Sequence, residues 1–110
     1  MSFQEILQHQ AMTDALAKQN IIEPTAIQQQ VIPLLLEGRD VIGQSYTGSG
    51  KTLAYLCPTL LKIDENAKQV QALILAPTHE LVMQIYRQAQ QLIRDGQMQI
   101  GCQSIIGEAN

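Results

Sequence analysis

Ser45-Tyr46-Thr47-Gly48-Ser49-Gly50-Lys51-Thr52 follows the apolar stretch Asp40 to Gly43 and opens a helix-forming stretch from Leu53 to Ile63. The octet therefore lies where a strand hands over to a helix. Gly48 and Gly50 allow a tight turn that brings consecutive backbone N–H groups onto one concave face, and the start of the following helix adds its own attraction for anionic oxygens. Lys51 contributes a mobile positive charge for outer phosphates, and the Thr52 hydroxyl is placed to coordinate Mg²⁺. The strict pattern G-x-x-x-x-G-K-[ST] has Gly where this chain has Ser45. A merely flexible Gly/Ser turn would leave the Gly-Lys-Thr step and the strand-to-helix context unexplained.

The remaining composition narrows the class. The chain has 110 residues, 45% of them hydrophobic, which suits one small domain with its own core. Its start has no basic, apolar, small-residue signal, and no apolar stretch is long enough to span a bilayer. With 7 Lys+Arg against 10 Asp+Glu the formal charge is −3, so the chain lacks the overall footprint of a general nucleic-acid binder and any such contact must be local. Cys57 and Cys102 lack metal-ligand spacing and read as buried free thiols of a reducing cytosol rather than a disulfide or zinc site.

Hydrophobic periodicity predicts alternating helices and strands. One helix is expected over Phe3 to Gln19, and a second after Pro24, capped by Thr25, with Ile27, Val31, Leu34 and Leu35 as its apolar stripe and Pro33 bending it. Gly38 ends it. Strands are expected at Asp40 to Ser45, Ala72 to Ala76 and Ile100 to Ile106, with helices from Lys51 to Ile63 and from His79 to Arg94 between them. Strands joined by helices of this length imply parallel pairing and right-handed crossovers, hence a layered α/β domain with helices on both faces. Its ligand site belongs at the carboxyl ends of the strands, where both the glycine-rich loop and the turn Pro77-Thr78 would fall.

At this point a family resemblance enters. Asn20-Ile21-Ile22-Glu23-Pro24-Thr25-Ala26-Ile27-Gln28 resembles the adenine-recognising Q motif of the DEAD-box RNA helicases, with Phe3 in the place of that family's isolated upstream aromatic. Residues 45–52 resemble motif I, and Pro77-Thr78-His79-Glu80-Leu81 resembles motif Ia. The resemblance implies an incomplete three-layer RecA-like P-loop NTPase domain with a parallel sheet, residues 1–110 being the N-terminal part of its first RecA-like unit. It implies ATP and Mg²⁺ as cofactors, held by Phe3, Thr25, Gln28, Ser45, Tyr46, Thr47, Gly48, Ser49, Gly50, Lys51 and Thr52. Of these, Lys51 and Thr52 would be the catalytic pair, and Thr52 the metal contact. Gln28 offers a donor and an acceptor side by side, which suits adenine N6 and N7. Phe3 would either stack on the base or fill the core under the first helix.

The motif Ia resemblance makes Pro77, Thr78 and His79 candidate RNA contacts. His79 stands where the family has Arg, and Ile106-Gly107 where it usually has Gly-Gly; Thr78 also suits a helix cap. Asn20 replaces a usual Gly, a substitution that Asn tolerates in left-handed backbone. Hydrolysis in this class needs an Asp-Glu-Ala-Asp motif and arginines from a second RecA-like domain, which the chain lacks; Asp64-Glu65 lies in a loop and receives no role. The expected function is therefore the ATP-binding segment of a cytoplasmic RNA helicase, which binds nucleotide without hydrolysing it and self-associates through open sheet edges. A DNA helicase or a stand-alone nucleotide-binding module are the alternatives.

Overall fold

The computed structural model describes residues 1–46, 48 and 50–106, and five helices carry its order: α1 (Phe3–Leu7), α2 (Gln10–Lys18), α3 (Ala26–Leu36), α4 (Lys51–Leu61) and α5 (His79–Asp95). The single N-terminal helix expected from periodicity is two. Gln8 adopts left-handed backbone at φ 52°, and His9 then starts α2 by accepting the Met12 N–H on Nδ1 at 3.1 Å. A capping box opens α1, with Ser2 and Glu5 exchanging bonds of 3.0 and 3.1 Å.

Three helices stop in the same way. After α2, Asn20 (φ 62°) donates to Ala17 O and Ile21 N–H to Leu16 O; after α3, Gly38 (φ 86°) and Arg39 repeat the pattern on Leu35 and Leu34; after α5, Gln97 (φ 54°) and Met98 do so on Arg94 and Ile93. These paired bonds satisfy the last carbonyls and require a left-handed residue just past the helix. Asn20 thus sits in the backbone region that lets it replace Gly, and its turn directs residues 21–24 towards the start of α3.

Packing is helix against helix. α3 lies on α4, α2 on α5, and α1 on both α2 and α3. Every helix supplies side chains that lose almost all solvent contact: Phe3, Leu16, Ile32, Leu56 and Leu92 are each 2% exposed or less. No helix among the described residues is long and apolar enough to cross a membrane.

The expected parallel sheet is not formed among the described residues. The runs 40–45, 72–76 and 100–106 contain no strand, and no backbone hydrogen bond pairs one with another. Ile42, Val70, Leu73, Leu75 and Ile105 are 78% exposed or more. Apolar and β-branched content says that a segment fits a pleated, covered surface, but pairing depends on neighbouring strands that local sequence does not supply. Only the start of the last run reaches the core, through half-buried Ile100 and Cys102. Both cysteines are free, Cys57 being fully buried on α4.

Candidate functional site

Gly48 and Gly50 both adopt φ 87°, conformations that side chains rarely take. Gly50 caps α4 without any side-chain hydrogen bond, and among the described residues no side chain bonds to the N–H groups of the first turn. An anion would meet those donors together with the positive end of an 11-residue helix. Lys51 is exposed and reaches back across the loop, its Nζ donating to Ser45 O at 2.7 Å. Thr52 is half-buried, and its hydroxyl has no recorded partner among the described residues. Tyr46 is largely exposed; Thr47 and Ser49, expected in the same cradle, lie outside the described residues, as does Gly107 of the Ile106-Gly107 pair.

Thr25 and Gln28 meet this loop from α3. Gln28 is only 2% exposed, and both ends of its carboxamide are engaged: Oε1 accepts the Thr25 N–H at 2.8 Å, and Nε2 donates to Gly50 O at 3.1 Å. The Thr25 hydroxyl accepts the Gln28 N–H at 3.4 Å, completing a capping box. The approach is close enough to dictate glycine at position 50. A Cβ there would lie 2.5 Å from Gln28 Nε2 and 3.0 Å from Thr25 Oγ1. The two sequence motifs are therefore one structural unit, joined through a buried amide and a backbone carbonyl.

A cleft of about 460 Å³ opens beside Pro24, between the start of α1 and residues 22–24, with Ser2, Glu5, Glu23 and Gln29 among its walls. That volume is within the usual span of small-molecule sites, roughly 300–1,000 Å³. Hydrogen bonds from the Ser2 backbone and hydroxyl hold the Glu5 carboxyl below the usual carboxylate range. Phe3 lies in the core at 2% exposure, so its ring packs under α1 and does not face this cleft.

The Pro77-Thr78-His79 turn is exposed. Thr78 caps α5, its hydroxyl accepting the Leu81 N–H at 3.1 Å, while His79 begins the helix. No hydrogen bond among the described residues ties this turn to the glycine-rich loop. Asp64 and Glu65 have structural partners: Gln71 brackets the Asp64 backbone within their loop at 2.8 and 2.9 Å, and Glu65 ties the loop to the segment after α5 by accepting the Gln99 N–H at 3.2 Å. Two features escape the sequence reading. The Thr25-x-x-Gln28 spacing is itself a capping-box signature, and Gln29, which lines the cleft, follows directly on Gln28.

Comparison with known proteins gives a consistent set of likenesses. The sequence matches the DEAD/DEAH box helicase family over residues 25–110. It is 48% identical over 99 residues to the DEAD-box ATP-dependent RNA helicase CshC of Bacillus cereus, covering 90% of this chain and 25% of that protein. It is 38% identical to the mitochondrial DEAD-box ATP-dependent RNA helicase 47 of Arabidopsis thaliana, covering 99% of this chain and 22% of the relative. Among solved structures, the RNA helicase Prp28 from Chaetomium thermophilum bound to ADP superposes with a TM-score of 0.72 at 43% identity, over 78% of this chain and 22% of that one. The chain thus spans about a quarter of the length of these curated relatives.

Proposed function

The chain belongs to the DEAD/DEAH box helicase family, and on that premise we propose that it is the nucleotide-binding segment of an ATP-dependent RNA helicase. The observation that carries this reading is the buried Gln28–Gly50 bond, which joins a base-side motif to a phosphate-side loop in one rigid unit. The start of α4, where no side chain among the described residues caps the helix, fits a phosphate group, and the Thr52 hydroxyl, without a partner among the described residues, fits Mg²⁺. Lys51 would exchange its bond to Ser45 O for a phosphate oxygen. Bound Mg²⁺ would supply charge neutralisation of the outer phosphates. For Gln28 to read adenine, its Nε2 must share or release Gly50 O, so base recognition and loop conformation would be coupled.

The 110 residues contain no Asp-Glu-Ala-Asp run, so this segment is expected to bind ATP and to leave hydrolysis to residues outside it. Pro77, Thr78 and His79 would contact RNA through their backbone and exposed surface. The exposed apolar runs 40–45, 72–76 and 100–106 would become strands of a parallel RecA-like sheet, which would cover Ile42, Leu73 and Ile105; left uncovered, they favour self-association. Two free thiols accord with a reducing, cytoplasmic setting. A titration of ADP into the chain with Lys51→Ala as its partner tests the reading. Saturable binding lost in the variant is expected, and a folded chain that binds no nucleotide would refute it.

A further inference from the structure

Resting on the RNA-helicase reading above, we propose that the outer face of α5 is an RNA-backbone surface, on which Arg87 and Arg94 hold phosphates of a strand that passes the Pro77-Thr78-His79 turn. Glu80, Gln84, Arg87, Gln91 and Arg94 are all exposed and recur at the four-three spacing that keeps residues on one side of a helix, opposite the buried Ile85, Ala89, Leu92 and Ile93. Glu80 belongs to the first turn, where it complements the positive helix start. The chain as a whole is acidic, with 10 Asp+Glu against 7 Lys+Arg, yet residues 81–94 hold no acid. A face that served only hydration would share the acidic excess. Past the first turn its charges are Arg87 and Arg94.

Both arginines are open to a ligand. Arg87 makes no hydrogen bond or ion pair among the described residues, and Arg94, whose Nε lies 3.4 Å from Asp95 Oδ1, keeps a side chain 72% exposed. Asp95 is itself only 18% exposed and also accepts from Gln19 Nε2 at 3.4 Å. That bond sets the end of α2 beside the end of α5, and with it Lys18, exposed in the last turn of α2. Arg87 lies about 12 Å along the axis from His79, and Arg94 about 10 Å further, so positive charge is spread along the helix from the turn to Lys18. A guanidinium fork matches phosphate oxygens, and the exposed amides of Gln84 and Gln91 add donors suited to the backbone and indifferent to base identity. An acidic protein segment would also answer this charge. RNA is favoured because α5 opens at the turn assigned to RNA, so a strand held there continues onto the same face.

The test is a salt series of anisotropy titrations of a labelled oligouridine with the whole chain, its Arg87→Gln/Arg94→Gln double variant and, as an outside control, Arg39→Gln in the turn after α3. Glutamine keeps the helix propensity of arginine, and circular dichroism confirms folding. Loss of two phosphate contacts should flatten the plot of log affinity against log salt by about 1.4 and weaken binding about 25-fold at about 0.1 M salt. Arg39→Gln should behave as the wild type. Arg87→Lys/Arg94→Lys keeps both charges and should restore the slope. A slope unchanged in the glutamine variant, or lost equally in the lysine variant, would overturn the proposal. Polyglutamate bound more tightly than oligouridine, through the same two arginines, would overturn it in favour of an acidic protein partner. A folded wild-type chain that binds ADP but no RNA also overturns it and leaves the nucleotide site standing, whereas one that binds neither fails at the earlier reading.

Discussion

Replacing Gly50 by Ala should destabilise the chain considerably more than replacing Gly48, although the two glycines share the same φ of 87°. The shared backbone strain of a left-handed alanine, about 1–2 kcal/mol, cancels in the comparison. What differs is the space around the added methyl. At Gly48 nothing described lies within 4 Å, whereas at Gly50 the methyl would sit 2.5 Å from Gln28 Nε2 and 3.0 Å from Thr25 Oγ1. Gln28 is 2% exposed and cannot move aside without surrendering its bonds to Gly50 O and the Thr25 N–H. Two such bonds at about 1 kcal/mol each put Gly50→Ala about 2 kcal/mol below Gly48→Ala, in line with the usual penalty for overpacking. Urea unfolding followed by circular dichroism reads this as a midpoint about 1 M lower for the position-50 variant. Stabilities equal to within about 0.5 kcal/mol would refute the close approach of α3 to the loop.

Two further outcomes follow from the core and the buried amide. Burial pushes the Cys57 thiol from its ordinary value of 9.0 up to about 12. The unfolded chain therefore loses this proton first, so stability should fall between pH 9 and 12 by up to about 1.4 kcal/mol per pH unit and level off above that. Cys57→Ala should show a correspondingly shallower decline in alkaline urea titrations, and an identical decline would contradict the burial. Gln28→Leu removes both bonds of a buried amide and leaves the Gly50 carbonyl, among the described residues, with the Ala54 N–H at 3.2 Å. It should cost about 2 kcal/mol by the same urea assay and weaken ADP more than GDP, because the adenine reader is lost together with the loop bridge; wild-type stability would contradict the bridging role.

Those outcomes depend on features that differ in how far the sequence discloses them. α5 was legible because Leu81, Ile85, Leu92 and Ile93 repeat at helical spacing over 17 residues, and the start of α3 because Pro24-Thr25 is a strong cap. The break between α1 and α2 was not, since it depends on a left-handed Gln8 and a histidine cap, neither of which has a composition signal of its own. Asp95-Gly96 marks the end of α5, yet the left-handed residue there is Gln97. The apolar runs at 40–45, 72–76 and 100–106 carry strand propensity without strand pairing, because pairing is settled by neighbours distant in sequence. At the site, loop position and the lysine are readable from the octet alone. The contact between Gln28 and Gly50 spans 22 positions and is visible only once α3 packs on α4.

The central claim, that residues 25–28 and 45–52 form one nucleotide site, is tested most directly by titrating ADP with Mg²⁺ into the chain and following backbone amide resonances residue by residue. The account requires saturable shifts that cluster at Gly50, Lys51, Thr52 and Gln28 and vanish in Lys51→Ala. Shifts that leave those four amides unmoved, or that survive intact in Lys51→Ala, would contradict it.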